Sequence, residues 1–218
     1  MRYAVVVGAT GLTGQALTQQ LAADRSGLPV RALLRRPAPA LPARIEQIIL
    51  PRLDDADALA PHIPAGAWVF CCVGTTMAKA KSQAAFRAVD LDIPVALAHA
   101  AAAAGADGMS VVSSVGAKAH GFFFYNRVKG EMELSVQATH LPSVHIFRPG
   151  LLLGKRPERR LGERLAGLVS RFVAPMLQGP LAQYAPIHAG QLAKAMIAYA
   201  KAGGRGLRVF QGKALRRI

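Results

Sequence analysis

Tyr3-Ala4-Val5-Val6-Val7-Gly8-Ala9-Thr10-Gly11-Leu12-Thr13-Gly14-Gln15-Ala16-Leu17 opens the chain with an apolar β-branched run, a glycine-spaced turn and a helix start. Each glycine answers a different geometric need. Gly8 permits the sharp strand-to-helix turn, Gly11 lets the backbone approach a pyrophosphate, and Gly14 lets helix and sheet pack closely. The helix that follows offers free N–H groups and a partial positive charge to phosphate oxygens. Thr10, Leu12 and Thr13 share the turn with these glycines and complete the predicted cofactor cradle. A merely tight structural turn is the alternative, and the context weighs against it, because the turn falls at the first strand of a repeating pattern.

Working outward, short apolar runs alternate with helical segments along the rest of the chain. Tyr3–Val7, Val30–Leu34, Ile45–Leu50, Ala67–Cys72, Met109–Ser113 and Val144–Phe147 read as strands, with Leu207–Phe210 a weaker seventh. Leu12–Ala23, Ala56–Ala60, Gln83–Ala104, Tyr125–Ala138, Leu161–Leu177 and Gln191–Ala202 read as helices, and Pro94 predicts a kink or restart within the fourth. Alternation of this kind marks βαβ units, so the expected fold is α/β, a Rossmann-like doubly wound parallel sheet with a small C-terminal helical substrate region. The 218 residues fit one such domain, with residues 150–190 contributing the substrate-side cover.

Composition narrows the classes. Hydrophobic residues make up 52% and charged residues 18%, which excludes a disordered or collagen-like chain. No apolar stretch approaches the ~20 residues of a membrane span, and no room exists for an apolar secretory leader before the first strand, so a cytoplasmic location is expected. Cys71 and Cys72 are adjacent, and neighbours in a strand point to opposite faces, so reduced thiols acting as small hydrophobes are expected. The histidines show no ligand spacing, and no metal site is predicted. The net charge is +15, and it is uneven: residues 150–218 hold 13 Lys/Arg against 2 Asp/Glu. The basic run Lys155-Arg156-Pro157-Glu158-Arg159-Arg160 with Arg164 admits a small-molecule substrate that is anionic, or simply a solvated face. Nucleic acid is not expected, because no recognition motif or interleaved aromatics accompany the charge.

At the end of the second strand stands Arg35-Arg36, where an acidic residue would grip the ribose hydroxyls of NAD. Guanidinium groups pair with phosphate and stack on adenine, so this end favours NADP(H) over NAD(H). Gly74 and Thr75, after the fourth strand, are expected along the ribose and nicotinamide side. Further on, Ser114 follows the fifth strand, and Tyr125 and Lys129 are spaced i, i+4, sharing one helix face. A phenol is ordinarily an acid near pH ~10, and an adjacent ammonium favours its phenolate and makes it a serviceable acid–base group. Lys129 can do this and also donate to the cofactor ribose. Ser114 is placed to hydrogen-bond the substrate oxygen. Ser114, Tyr125 and Lys129 are therefore the candidate catalytic residues. His120 and Phe122–Phe124 lie between them: a solvated histidine and core phenylalanines are expected, with walls of the substrate pocket as the alternative.

Gly8–Gly14, Ser113-Ser114, Tyr125-x-x-x-Lys129-Gly130 and Arg148-Pro149-Gly150 together resemble the atypical short-chain dehydrogenase/reductase family. Cys71-Cys72-Val73-Gly74-Thr75-Thr76, Ser113-Ser114-Val115-Gly116-Ala117 and Val128-Lys129-Gly130-Glu131 narrow the resemblance to its Tat-interacting-protein-like NAD(P)-binding branch. The resemblance implies NADP(H) binding, a Ser–Tyr–Lys constellation and hydride transfer to or from a carbonyl or alcohol. Two alternatives stay open: an NADPH-binding, redox-responsive regulatory protein with little turnover, and a nucleotide-sugar epimerase or dehydratase. Two departures stand out. The family's Asp just after the third strand is replaced by Leu50-Pro51-Arg52-Leu53 ahead of Asp54. The relay Asn of conventional members is matched in place by Asp90, which cannot donate as an amide does when ionised. An alanine-rich fourth helix would allow close helix approach in a homodimer.

Overall fold

The structure is a computed structural model and describes residues 1–154 and 183–216. Its frame is a seven-stranded sheet of β1 (Tyr3–Val7), β2 (Val30–Leu34), β3 (Glu46–Ile49), β4 (Ala67–Cys71), β5 (Gly108–Val112), β6 (Ser143–Arg148) and an edge strand, β9 (Gly206–Gln211). Their spatial order is β3-β2-β1-β4-β5-β6-β9, and every pairing is parallel. β7 (Leu152–Leu153) and β8 (Ile187–His188) form a separate two-stranded ladder.

Period-2 alternation assigns each strand residue to one of two cores. Val5, Val7, Val69, Cys71, Met109 and Ile146 face one side, where α2 (Ala56–Leu59), α5 (Ile93–Ala103) and α6 (Phe124–Gln137) cover them through Leu59, Leu97, Ala101, Met132 and Val136. Ala4, Val6, Ala32, Trp68, Phe70 and Phe147 face the other. There α1 (Leu12–Ala23) and α7 (Ala189–Ala202) contribute Leu17, Leu21, Leu192 and Met196. Because both faces of a parallel sheet are buried, central strands such as Ala67–Cys71 read as unbroken apolar runs. The fold is the Rossmann-like doubly wound sheet.

The predicted strands and helices are all present where the structure describes them, with ends shifted by a residue or two. The fourth helical segment is the informative one. It begins as α4 (Gln83–Arg87), widens into a π-helical turn over Ala88–Asp92, and restarts as α5 with Pro94 in its first turn. Proline is tolerated there because its missing N–H would have had no partner. The alanines of α5 are spent inside the fold: Ala96, Ala98, Ala100 and Ala101 are buried against the sheet. The predicted helix over Leu161–Leu177, most of the 150–190 cover and the basic run around Lys155 and Arg164 lie outside the described residues.

Candidate active site

Strand order reverses beside β1: β2 and β3 lie to one side of it, β4 and the rest to the other. Ligands of open α/β sheets bind at such a point, outside the carboxyl ends of the strands. Gly8 leaves β1 there with a φ of +84°, and a β-carbon on it would stand 2.6 Å from the Cys72 carbonyl carbon. Gly11 N–H closes the turn onto Gly8 O at 3.0 Å. Gly14 packs still closer, since a β-carbon would fall 2.1 Å from Gly8 O. Helix α1 begins with Gly11 as its N-cap and has no side-chain cap, so the N–H groups of Leu12, Thr13 and Gly14 have no intrahelical acceptor. Gly11 carries no side chain to fill the space before them. A cradle of backbone donors at a helix N-terminus fits a dinucleotide diphosphate.

Arg35 and Arg36 follow β2 at the same sheet edge and are exposed. Neither makes a hydrogen bond or ion pair among the described residues. Asp54 lies nearby. Its carboxyl is held below the ordinary range first by hydrogen bonds from Arg52 and, more weakly, by the charge of Arg35.

On the other side of the switch point, the site is built around Lys129. Tyr125 and Lys129 stand one turn apart on α6, as their spacing required. Tyr125 is 36% exposed and its ring packs 5.6 Å from that of Phe86. Lys129 is buried, with its Nζ 2.7 Å from Asp90 Oδ1 and 3.5 Å from the Val112 carbonyl at the end of β5. Asp90 projects from the π-helical turn, and its other oxygen accepts the Thr75 N–H at 2.8 Å. Gly74 lies against the same carboxylate. Ser114 follows β5, and its hydroxyl rests on the Val115 carbonyl. The structure thus brings Gly74, Thr75, Ser114 and Lys129 together at the ends of β4 and β5, with Tyr125 at the rim.

The loop from Ser114 to Gly121 is pinned onto α6. Lys118 N–H bonds the Asn126 carbonyl at 3.0 Å, and Val115 N–H bonds Pro149 O at 3.0 Å. Gly130 makes this approach possible, because a β-carbon there would meet Ala119 N at 2.1 Å. Beneath the loop lies a buried polar network absent from the sequence reading. Glu133 accepts from the Ser113 hydroxyl and takes two bonds from the Arg148 guanidinium, whose basicity those bonds raise. One signal was available: Tyr125, Lys129 and Glu133 continue a single i, i+4 stripe. The pairing of Asp90 with Lys129 had no such signal, since 39 positions separate them.

One expectation about the aromatic residues fails. Phe122 and Phe123 are 92% and 68% exposed rather than in the core: they lie in the segment between the pinned loop and α6, with Phe123 as the extended N-cap of the helix. The cysteines behave as small hydrophobes. Both are free, and burial pushes the Cys71 thiol up to about 11, which leaves little thiolate near neutrality.

A family profile described as NAD(P)H-binding matches residues 8–166. The chain belongs to that family. Relatives include Protein FMP52, mitochondrial, of Eremothecium gossypii, 38% identical over 160 residues that cover 73% of this chain and 70% of the relative. Protein HTATIP2 of Rattus norvegicus is 33% identical over 163 residues, covering 74% of this chain and 67% of that one. Among solved structures, MoeE5 in complex with UDP-glucose and NAD superposes with a TM-score of 0.68 at 19% identity, covering 98% of this chain and 79% of that one. A UDP-galactose 4-epimerase superposes at 0.70 with 14% identity, covering 95% and 76%. These likenesses show the fold. The expectation of a cytoplasmic chain is overturned, because several relatives are mitochondrial proteins by name, from Eremothecium gossypii and Coccidioides immitis among others. An apolar secretory leader is not the signal for mitochondria, whose import relies on amphipathic, arginine-rich segments.

Proposed function

We propose that the protein is an NADP(H)-dependent oxidoreductase of the atypical short-chain dehydrogenase/reductase type, acting on a carbonyl or alcohol. One observation carries the reading: a buried lysine sits one helical turn from a rim tyrosine, at the same sheet edge whose switch point bears the uncapped glycine cradle. The dinucleotide, when bound, supplies or accepts a hydride at its nicotinamide.

The chain's own residues do the rest. Gly8, Thr10, Gly11, Leu12, Thr13 and Gly14 bind the diphosphate through backbone N–H groups. Arg35 and Arg36, exposed and without a hydrogen bond or ion pair among the described residues, receive the 2′-phosphate, which is the basis for preferring NADP(H). Gly74 and Thr75 line the ribose. Tyr125 gives a proton to the substrate oxygen, or takes it in the reverse direction. Lys129 supplies the positive charge beside that phenol and a donor to the ribose, and Ser114 orients the substrate oxygen.

A second reading, an NADPH-binding protein that reports redox state to a partner, draws support from Phe122 and Phe123, two exposed apolar side chains directly preceding Tyr125. One experiment separates the two. Purified protein is mixed with NADPH and a panel of aldehydes, ketones and nucleotide sugars. NADPH oxidation that disappears in Tyr125→Phe, while NADPH affinity stays unchanged, supports the enzyme. Saturable NADPH binding with no turnover of any member refutes it and favours the reporter.

A further inference from the structure

We propose that Asp90 is a positioning residue for the reaction: it keeps Lys129 a charged ammonium inside the fold and fixes that charge at the end of β5. The inference rests on the role given to Lys129 under the proposed function. Its physical starting point is that the pair is shut away from water, with side chains 4% and 1% exposed, at an Nζ–Oδ1 separation of 2.7 Å.

An ammonium in such a place cannot stand alone. Removal from water penalises the charged form, and a buried lysine without a counter-charge gives up its proton. The groups facing Lys129 identify what supplies that counter-charge. From β4 comes the Cys71 thiol, pushed toward its neutral form by burial. From β5 comes the Val112 carbonyl at 3.5 Å, a neutral acceptor. On α6 itself, Tyr125 lies one turn before, and Glu133 one turn after is committed to Arg148 and Ser113. Among the described residues Asp90 on the π-helical turn remains, and it is the carboxylate in contact.

The geometry also explains why an acid serves where an amide would not. One Asp90 oxygen holds the ammonium, and the other holds the Thr75 N–H at 2.8 Å, tying the loop after β4 to α6. Lys129 pairs with Asp90 as an ion pair and donates to Val112 O, which leaves donor capacity for ribose or phenol. An asparagine could keep the Thr75 bond but would bring no charge. Buried pairs contribute little net stability, because desolvation offsets attraction. What the pair delivers is a cation at a fixed place.

The test is Asp90→Asn, which preserves size and an acceptor for Thr75. NADPH affinity is measured for variant and wild type from about pH 6 to about pH 9, and the ratio of dissociation constants is followed, so that titration of the ligand cancels. The ratio is expected to rise at least about tenfold toward high pH, as the variant's Lys129 loses its proton and with it one charge-assisted hydrogen bond. A constant ratio means that Asp90 is merely structural and overturns the proposal.

Thermal melts of the same proteins need no ligand. The melting temperature of Asp90→Asn should lie below that of wild type, by an amount that shrinks as pH rises, because the unfolded chain then binds a proton that the folded variant has shed. Asp90→Asn/Lys129→Met should recover most of the loss and show no pH trend. A deficit independent of pH, or one that the double variant leaves in place, also overturns the proposal. If neither protein binds NADPH, the cofactor reading falls while the melts still decide the role of Asp90.

Discussion

Replacing Gly130 by alanine sets two local effects against each other. Alanine is the better helix former by about 1 kcal/mol, so in an exposed helix the change would stabilise. In α6 the new methyl would stand 2.1 Å from Ala119 N and 2.3 Å from the Lys118 carbonyl carbon. Real β-carbons essentially never come within 3.0 Å of such atoms, so helix and loop must part by about 0.9 Å. Both clashing atoms are backbone, and the loop is tethered by Lys118 N–H to Asn126 O and by Val115 N–H to Pro149 O, so no side chain can yield instead. Overpacking of this kind costs about 1–3 kcal/mol, which at least offsets the propensity gain and leaves a net loss of up to about 2 kcal/mol. For a chain of 218 residues that lowers the melting temperature by up to roughly 8 °C. The larger effect falls on chemistry. The loop carries Ser114 and the helix carries Tyr125, and parting them by about an ångström costs on the order of a hundredfold in turnover. Calorimetry and a carbonyl-dependent NADPH oxidation assay at saturating NADPH measure the two under the proposed function. A Gly130→Ala protein with wild-type melting temperature and turnover would refute the reasoning.

Gly14→Ala should act in the opposite compartment of the site: its β-carbon would stand 2.1 Å from Gly8 O, so α1 must leave the turn and NADPH affinity should drop by about a hundredfold or more, read by titration calorimetry. Arg35→Ala and Arg36→Ala should each weaken NADPH by roughly tenfold or more while leaving NADH nearly unchanged, since a charge-assisted bond to phosphate contributes about 1.5–3 kcal/mol; equal losses for both nucleotides would contradict the 2′-phosphate assignment. His145 lies wholly buried between Trp68 and Phe210 with neither ring nitrogen hydrogen-bonded among the described residues, and burial, helped by the charge of Arg208, pushes its protonation down to about 4 from an ordinary 6.5. The folded state therefore favours neutral imidazole. The associated stability, about 3 kcal/mol, is fully present above pH 6.5 and is lost as pH falls toward 4. Denaturant melts should show that slope in wild type and a flatter one in His145→Leu, and identical slopes would remove His145 as the cause.

Much of this molecule could be read from local pattern alone. The alternation of Val5, Val69 and Ile146 with residues of the opposite face follows from strand geometry, which needs only period 2 and two buried surfaces. The turn Gly8–Gly14 was legible because tight turns and close backbone approaches demand glycine within a span of seven residues. Tyr125 and Lys129 were legible because one helical turn separates them. Pro94 marked a kink or restart because its ring cannot sit in an uninterrupted helix interior. Phe122 and Phe123 misled because hydrophobic composition says where a side chain would prefer to be, while a pinned loop decides where it goes.

Sequence by itself determined the elements, their parallel sheet and the residues that a helix or a turn holds within a few positions of one another. Tertiary structure alone decided what meets across long separations: Asp90 against Lys129, Arg148 and Ser113 on Glu133, and Ala119 against Gly130. The reason is physical. Local conformation is set by backbone sterics and hydrogen bonds that reach only a turn or a strand. The partner of a buried charge is set by which distant segment the packed sheet brings within 3 Å of it, and no local rule encodes that distance.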